Sequence, residues 1–320
     1  TNLDTRQAKR RSAMLKLVAD DPLGNSWTLG YYLQDSDVTS SLNSMLGAGR
    51  FRSTTALEGD DVYRMDLIKG EVGFGEPGGF IDSGYFRAYY GITDIEQQTL
   101  DERGASSRPV SIERLFVFKQ DFHGVELNLQ KTLIGSTFDH QLGFGIEYRH
   151  RDTEEYRDGL ETSLVDGSQT NVLLGEVFPL RDFPLSESTE IGAYIEDAIS
   201  VGDWTIIGAL RADRYDLTPR TDPMYEADYP FQEIVSISDS ELSPKLGVVW
   251  RAADRIDLYL QYSHGFRAPP FEDANIGLEI PVFNIRAIPN PDLKSESSNG
   301  VDLGMRWQGQ RSTAHVSLFR

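Results

Sequence analysis

Arg255-Ile256-Asp257-Leu258-Tyr259-Leu260-Gln261-Tyr262-Ser263-His264-Gly265-Phe266 is the stretch that decides the fold. Its even positions are Ile256, Leu258, Leu260, Tyr262, His264 and Phe266; between them lie Arg255, Asp257, Tyr259, Gln261, Ser263 and Gly265. A period of two puts successive side chains on opposite faces of a β-strand, here one apolar and one wet. The pattern returns in Phe138–Arg149, where Phe138, His140, Leu142, Phe144, Ile146 and Tyr148 face away from Asp139, Gln141, Glu147 and Arg149. It returns again in Asp203–Arg214 and from Val301 to Gln308, and no helical stripe of similar quality occurs.

Working outward, strands are expected near 13–20, 26–36, 61–72, 80–97, 111–133, 138–152, 189–200, 203–217, 241–251, 255–267, 297–307 and 311–320, with the alternation blurred in 80–97 and 111–133. Short connections (21–25, 75–79, 134–136, 201–202, 252–254, 308–310) alternate with long ones (37–60, 98–110, 153–188, 218–240, 268–296). Short turns at one end and long loops at the other are the mark of an outer-membrane β-barrel, with turns periplasmic and loops extracellular. A soluble sandwich or propeller also has many strands, but its long and short loops need not segregate. All four tryptophans, Trp27, Trp204, Trp250 and Trp307, flank a short turn on the apolar face. That is where an indole buries its body in lipid and keeps its N–H wet at the membrane interface. Tyr148, Tyr262 and Phe266 fall where the opposite interface should be.

Composition excludes other classes. The chain has 320 residues, no cysteine and a net charge of −19. Disulfides and cysteine-ligated metals are ruled out, and so is a basic face for nucleic acid. The acid concentrates in the long loops, which carry Glu154, Glu155, Asp158, Glu161, Asp166, Glu176, Asp182 and Glu187 in one and Asp222, Glu226, Asp228, Glu233, Asp239 and Glu241 in the next. These read as solvated loop charges rather than a divalent-cation site, since no EF-hand spacing is present. None of the five histidines pairs with metal-ligand spacing; His140, His150 and His264 fall on the lipid face, His315 on the lumen face, and His123 in a blurred strand. No metal site and no catalytic residue is expected. There is no Gly-x-Ser-x-Gly or His-Glu-x-x-His motif, and Gly73–Gly78 reads as a turn.

From Ile191 onward the text resembles the barrel of TonB-dependent outer-membrane receptors. The resemblance rests on Gly192–Asp197, Ile207–Tyr215, Leu242–Trp250, Tyr262–Pro269 and Asn290–Glu296, in order and at the family's spacing. Within the family it is most similar to the haem/haemoglobin branch. Phe266-Arg267-Ala268-Pro269 and Asn290-Pro291-Asp292-Leu293 resemble the paired boxes flanking one extracellular loop there, and Val177–Pro184 resembles another loop segment. In one respect the sequence departs from that branch, for residues 270–289 hold no His, Tyr, Met or Cys to ligate haem iron.

The resemblance implies an all-β, antiparallel barrel wall of about twelve strands from a barrel of about 22. Residues 1–320 would be a partial barrel domain, without plug, TonB box or closing strands, and its sheet should stay open. The whole protein would be an outer-membrane receptor that takes up an iron-containing ligand, haem or haemoprotein-derived, energised by a TonB–ExbB–ExbD complex. A ferric-siderophore or other scarce-nutrient receptor is the alternative. A passive porin or adhesin barrel is the alternative of another class, and a barrel enzyme of the outer-membrane lipase or protease kind lacks its dyad. Lipid, lipopolysaccharide and an extracellular haemoprotein are the other expected partners, and haem or a ferric chelate would be cargo, with no covalent cofactor. The ligand-loop candidates are Phe266, Arg267, Ala268, Pro269, Arg286, Asn290, Pro291, Leu293, Tyr156, Tyr225 and Tyr229. The lumen or plug-contact candidates are Arg211, Asp213, Arg255, Asp257, Asp302 and Arg306.

Overall fold

The computed structural model describes residues 3–269, 274–280 and 284–320. Its strands are β1 (Thr5–Asp20), β2 (Ser26–Ser41), β3 (Ala56–Gly75), β4 (Ser83–Arg103), β5 (Val110–Ile134), β6 (Asp139–Ser163), β7 (Gln169–Thr170), β8 (Val172–Leu173), β9 (Glu176–Val177), β10 (Leu185–Val201), β11 (Trp204–Arg220), β12 (Ile237–Ala253), β13 (Ile256–Arg267), β14 (Leu278–Ile280), β15 (Ile285–Ala287), β16 (Glu296–Gln308) and β17 (Thr313–Phe319). A short helix, α1 (Pro223–Asp228), sits in a loop, capped by the Asp222 carboxylate accepting from the Tyr225 N–H.

One thirteen-stranded sheet runs β1-β2-β3-β4-β5-β6-β10-β11-β12-β13-β16-β17, with β7 attached to β6. Each long strand pairs antiparallel with its sequence neighbour, and β1 and β17 stand at opposite edges of an open sheet. All twelve expected strands are present. Most extend further toward the loop end than the alternation reaches, because ladder pairing continues after both faces have become polar. At 98–110, β4 and β5 run on and leave only 104–109 as connection. The strict alternation of short and long connections therefore breaks at that position.

Register carries each face across the sheet. Trp27, Val72, Phe86, Leu127, Ile146, Ala193, Ala212 and Leu242 are successive cross-strand partners, and every one is apolar. One residue along, the row reads Thr28, Glu71, Arg87, Glu126, Glu147, Gly192, Asp213 and Glu241. A slip of one residue would exchange the two surfaces, so the hydrophobic pattern fixes the pairing. The apolar surface is open: Ile146 is 57% and Ile195 53% exposed. The charged surface is stitched by ion pairs, Arg87 to Glu71 (2.8 Å) and Glu126 (2.7 Å), and Arg211 to Asp213 (2.7 Å) and Glu147. Two buried hydrophobic clusters, by contrast, lie at the loop end: Val110, Ile112, Leu173, Phe178 and Leu180, and Tyr215, Leu217 and Ala274. A wet-faced sheet with an exposed apolar surface and its buried core in the loops is built for hydrocarbon outside and water inside.

Glycines on the charged face shelter aromatic rings. At Gly145 an added Cβ would lie 2.5 Å from the Leu127 carbonyl and 2.8 Å from the Tyr194 ring, so backbone as well as side chain would have to move. Gly145→Ala should lower stability by about 1–3 kcal/mol, the usual cost of overpacking. The check is urea unfolding of the full-length protein in micelles, followed by electrophoretic mobility; an unchanged midpoint would refute it.

Candidate functional site

At the loop end of the charged face lies a cavity of about 580 Å³. Its floor comes from odd-numbered β11 residues, Arg211, Asp213, Tyr215 and Leu217, which share one face by the period-two rule. Phe118 and Gln120 of β5, Arg151 and Thr153 of β6, and Ser186, Ser188 and Glu190 of β10 line its side. Phe266, Arg267, Ala268 and Pro269 close it at the end of β13. The lining holds four arginines (Arg151, Arg211, Arg214, Arg267) and two acids (Glu190, Asp213); Arg211 also pairs with Glu147, and Arg214 with Asp216 (2.7 Å), neither of which lines the cavity.

The structure brings the two sequence boxes together. Ala268 and Leu293 both pack on the Tyr215–Leu217–Ala274 cluster beneath the cavity mouth. Asn290 donates its N–H to the Ala274 carbonyl (3.1 Å), and its side chain accepts from the Asp292 N–H (3.1 Å) in a turn that includes Pro291. Arg267 lies 3.7 Å from Glu296, an exposed pair worth little by itself. Arg286 is elsewhere, opposite Glu279 in the β14–β15 hairpin. Residues 270–273 and 281–283 of this connection lie outside the described residues.

Other candidates are redistributed. Tyr225 is fully buried, with Gln232 donating to its hydroxyl (2.9 Å), and burial pushes its phenol up. Tyr229 donates to the Gly277 carbonyl and is likewise raised, first by burial and then by nearby Asp228. Tyr156 lies within β6 rather than in a loop and donates to Asp158 (3.3 Å). Tyr225 and Tyr229 are thus loop-packing residues and not exposed ligand-stackers, because the loops fold on one another. Arg255 sits in the turn before β13, its carbonyl accepting from the Gln308 N–H (2.9 Å). Asp257, Asp302 and Arg306 do share the charged face, around a second hollow with Tyr259 and His315. The His315 and Tyr259 rings stack at 5.8 Å.

Sequence reasoning missed three features here. First, not all the loop acid is solvated. Glu155 is 1% exposed and Glu176 8%, while Arg181, itself buried, donates to Glu154 (2.9 Å), Asp222 (2.8 Å) and the Glu155 carbonyl. Arg157 grips both Asp182 oxygens at 2.7 and 2.8 Å. The signal was the Val177–Pro184 segment, which supplies Phe178, Leu180, Arg181 and Asp182 to this buried junction. Second, Ser186 and Ser188 enter the cavity from the first residues of β10, whose polar start looked like loop, and they meet Arg151 and Gln120 from expected strands there. Third, His150, Asp152 and Glu187 place donor atoms within 4.8 Å of one another, because i, i+2 spacing and the Asp152–Glu187 register share a face. Glu187 is already paired with Arg220 (2.8 Å).

The tryptophans all lie at the turn end and are all at least one-third exposed. Trp204 and Trp250 are register partners, stacked at 5.2 Å and 6°.

Comparisons with known proteins agree with this architecture. The family model described as "TonB dependent receptor-like, beta-barrel" matches residues 4–320. The chain is similar to the "Hemoglobin-haptoglobin utilization protein B" of Neisseria meningitidis serogroup A / serotype 4A, 27% identical over 135 residues, which is 40% of this chain and 16% of that protein. Among solved structures, the hemophore receptor HasR of Serratia marcescens superposes with TM-score 0.66 at 16% identity, covering 97% of this chain and 45% of that one. The ferric preacinetobactin receptor BauA of Acinetobacter baumannii gives 0.57 at 15%, covering 98% and 46%. The chain thus spans less than half the length of each of these relatives.

Proposed function

The chain belongs to the TonB-dependent receptors, a family of outer-membrane β-barrel transporters, and on that premise we propose that it forms the wall and gate loops of a receptor that takes up an anionic iron complex. Haem, free or from a haemoprotein, is the first ligand class. TonB–ExbB–ExbD would energise release through a plug domain beyond this segment. The observation that carries the reading is the arginine-rich cavity closed by Phe266–Pro269, with Leu293 packed beneath its mouth. Guanidinium groups pair bidentately with carboxylates, so haem propionates fit them. The similarity to a haemoglobin–haptoglobin utilization protein supports the haem branch. Ferric siderophores are the second reading, favoured by the lack of His, Tyr, Met or Cys in 270–289. The wall's ion pairs at Arg211–Asp213 and the charged groups Asp257, Asp302 and Arg306 would contact the plug through hydrogen bonds and water. We further propose that Trp27, Trp204, Trp250 and Trp307 anchor the periplasmic interface.

The test is titration of the purified full-length receptor with haemin and, separately, with ferric siderophores. A Soret shift with haemin, weakened about tenfold or more in Arg211→Ala or Arg267→Ala, is expected if these arginines hold propionates, as charge-assisted hydrogen bonds contribute about 1.5–3 kcal/mol. Binding of ferric siderophores alone would select the second reading. Binding of neither, or binding indifferent to both substitutions, would remove the cavity as the capture site.

A further inference from the structure

At the loop end the three longest connections meet at Gly277. Asp182, in the connection 164–184, donates its N–H to Glu155 Oε2 (2.8 Å) and accepts at its carbonyl from the Gly277 N–H (2.7 Å), while its carboxylate is held by Arg157. Gly277 belongs to the connection 268–295 and also accepts from Tyr229 of the connection 221–236. Asn275 ties the same two segments again, accepting from the Val235 N–H (2.6 Å) and donating to the Val235 carbonyl (2.8 Å). Arg181 bonds Asp222, so the 164–184 and 221–236 connections are joined directly as well.

Glu155 is the unusual member. It lies on β6 beyond the apolar stretch that ends at Tyr148, on the same face as the cavity residues Arg151 and Thr153. Its Oε1 is buried and without a hydrogen-bond partner, as is Oε1 of Glu176. An unpartnered carboxylate oxygen away from water is costly while it bears charge. The groups facing this junction are Arg157 from β6, Asp182 from its connection, Glu176 from β9, Asp228 from α1 and the phenol of Tyr229 beside it; Arg181 is committed to Glu154 and Asp222. Four carboxylates thus share one arginine, and one proton on Glu155 lowers the excess charge and removes the cost of leaving a charged oxygen unpartnered.

We propose that Glu155 and Asp182 form a proton-operated latch that binds the three extracellular connections to one another, closed when Glu155 is protonated and loosened when it ionises. Burial, then the Asp182 charge, raises the Glu155 carboxyl from 4.5 to about 7, with Arg157 and the Asp182 and Phe183 N–H groups opposing. The sign follows from linkage. An open latch exposes Glu155 to water at its ordinary value, so the closed state holds the extra proton between about pH 4.5 and 7. Closure is therefore favoured fully below that window, weakens as pH rises through it, and levels off above it. Access to the cavity would increase toward neutral and alkaline pH. Only this last consequence rests on the cavity being the capture site.

The experiment uses full-length receptor in nanodiscs, without ligand, labelled at Val165→Cys and Ile288→Cys, positions 78% and 60% exposed in two of the joined connections. Time-resolved energy transfer is recorded from pH 4.5 to 8.5. A single narrow distance at acidic pH should broaden as pH rises, with the closed-to-open ratio falling at least about tenfold. Glu155→Gln, which mimics the protonated acid, should stay narrow throughout. Asp182→Asn removes a repelling charge and should move the midpoint to lower pH, providing a second test if the first variant folds poorly. A pH-independent wild-type distance overturns the latch, as does a Glu155→Gln response equal to wild type or an unmoved midpoint in Asp182→Asn. Failure of haemin or ferric siderophores to bind would sink the cavity reading and leave this result standing.

Discussion

Ile195→Arg should prevent most of the full-length receptor from reaching a folded, membrane-inserted state. Ile195 lies on the apolar face between Phe144 and Leu210 in register, half exposed with no protein cover. A guanidinium at mid-depth on the lipid face of a barrel costs about 2–4 kcal/mol, a large fraction of an ordinary domain's net stability. The neighbouring Glu196 points to the wet side, where a Cβ at Gly143 would touch its side chain, so Glu196→Gln should be tolerated. The measurement is the heat-modifiable fraction in isolated outer membranes. Equal behaviour of the two variants would mean that alternate residues do not meet lipid and water, and the membrane reading would fall with it.

The second large effect is expected at Arg181. Its side chain is 8% exposed and bridges Glu154, Asp222 and the Glu155 carbonyl. Removing one partner of a buried ion-paired set leaves charges uncompensated and typically costs about 3–5 kcal/mol; the half-exposed Glu154 places the expectation near the lower end. Arg181→Ala should therefore release the 164–184 and 221–236 connections while the strands stay folded. Amide exchange would show this as protection lost at 177–184 and 222–229 and retained at 191–199. Uniform protection in both regions would contradict the assignment.

Much of the fold could be read from the residues because the membrane imposes a simple rule on them. The stretch 255–266 shows it without interference, and β13 begins and ends within a residue of the expected span. The rule blurs where the inner face also carries rings. Phe122 covers Gly91 and Tyr89 covers Gly124, so β4 and β5 have aromatics on both sides and lose their contrast. Beyond the membrane nothing distinguishes the faces, and strand ends such as 153–163 read as loop although the ladder continues.

The site was legible in part for a similar reason. Phe266–Pro269 and Asn290–Leu293 stood out as short text, and they do converge on the cavity mouth. The burial of Glu155 could not be read, because it depends on Asp182 and the 164–184 connection folding back over β6. A Glu in an acidic run looks like any solvated charge until the segment covering it is known. The same holds for Tyr225, whose burial is made by contacts among loops rather than by its own neighbours.

The paired indoles of Trp204 and Trp250 have a spectroscopic consequence. Two indole rings 5.2 Å apart in nearly parallel planes couple through their intense far-ultraviolet transitions. The resulting circular dichroism couplet exists only when β11 and β12 have found their mutual alignment. Its growth during refolding into vesicles would act as an intrinsic clock for that single hairpin, readable without any added label.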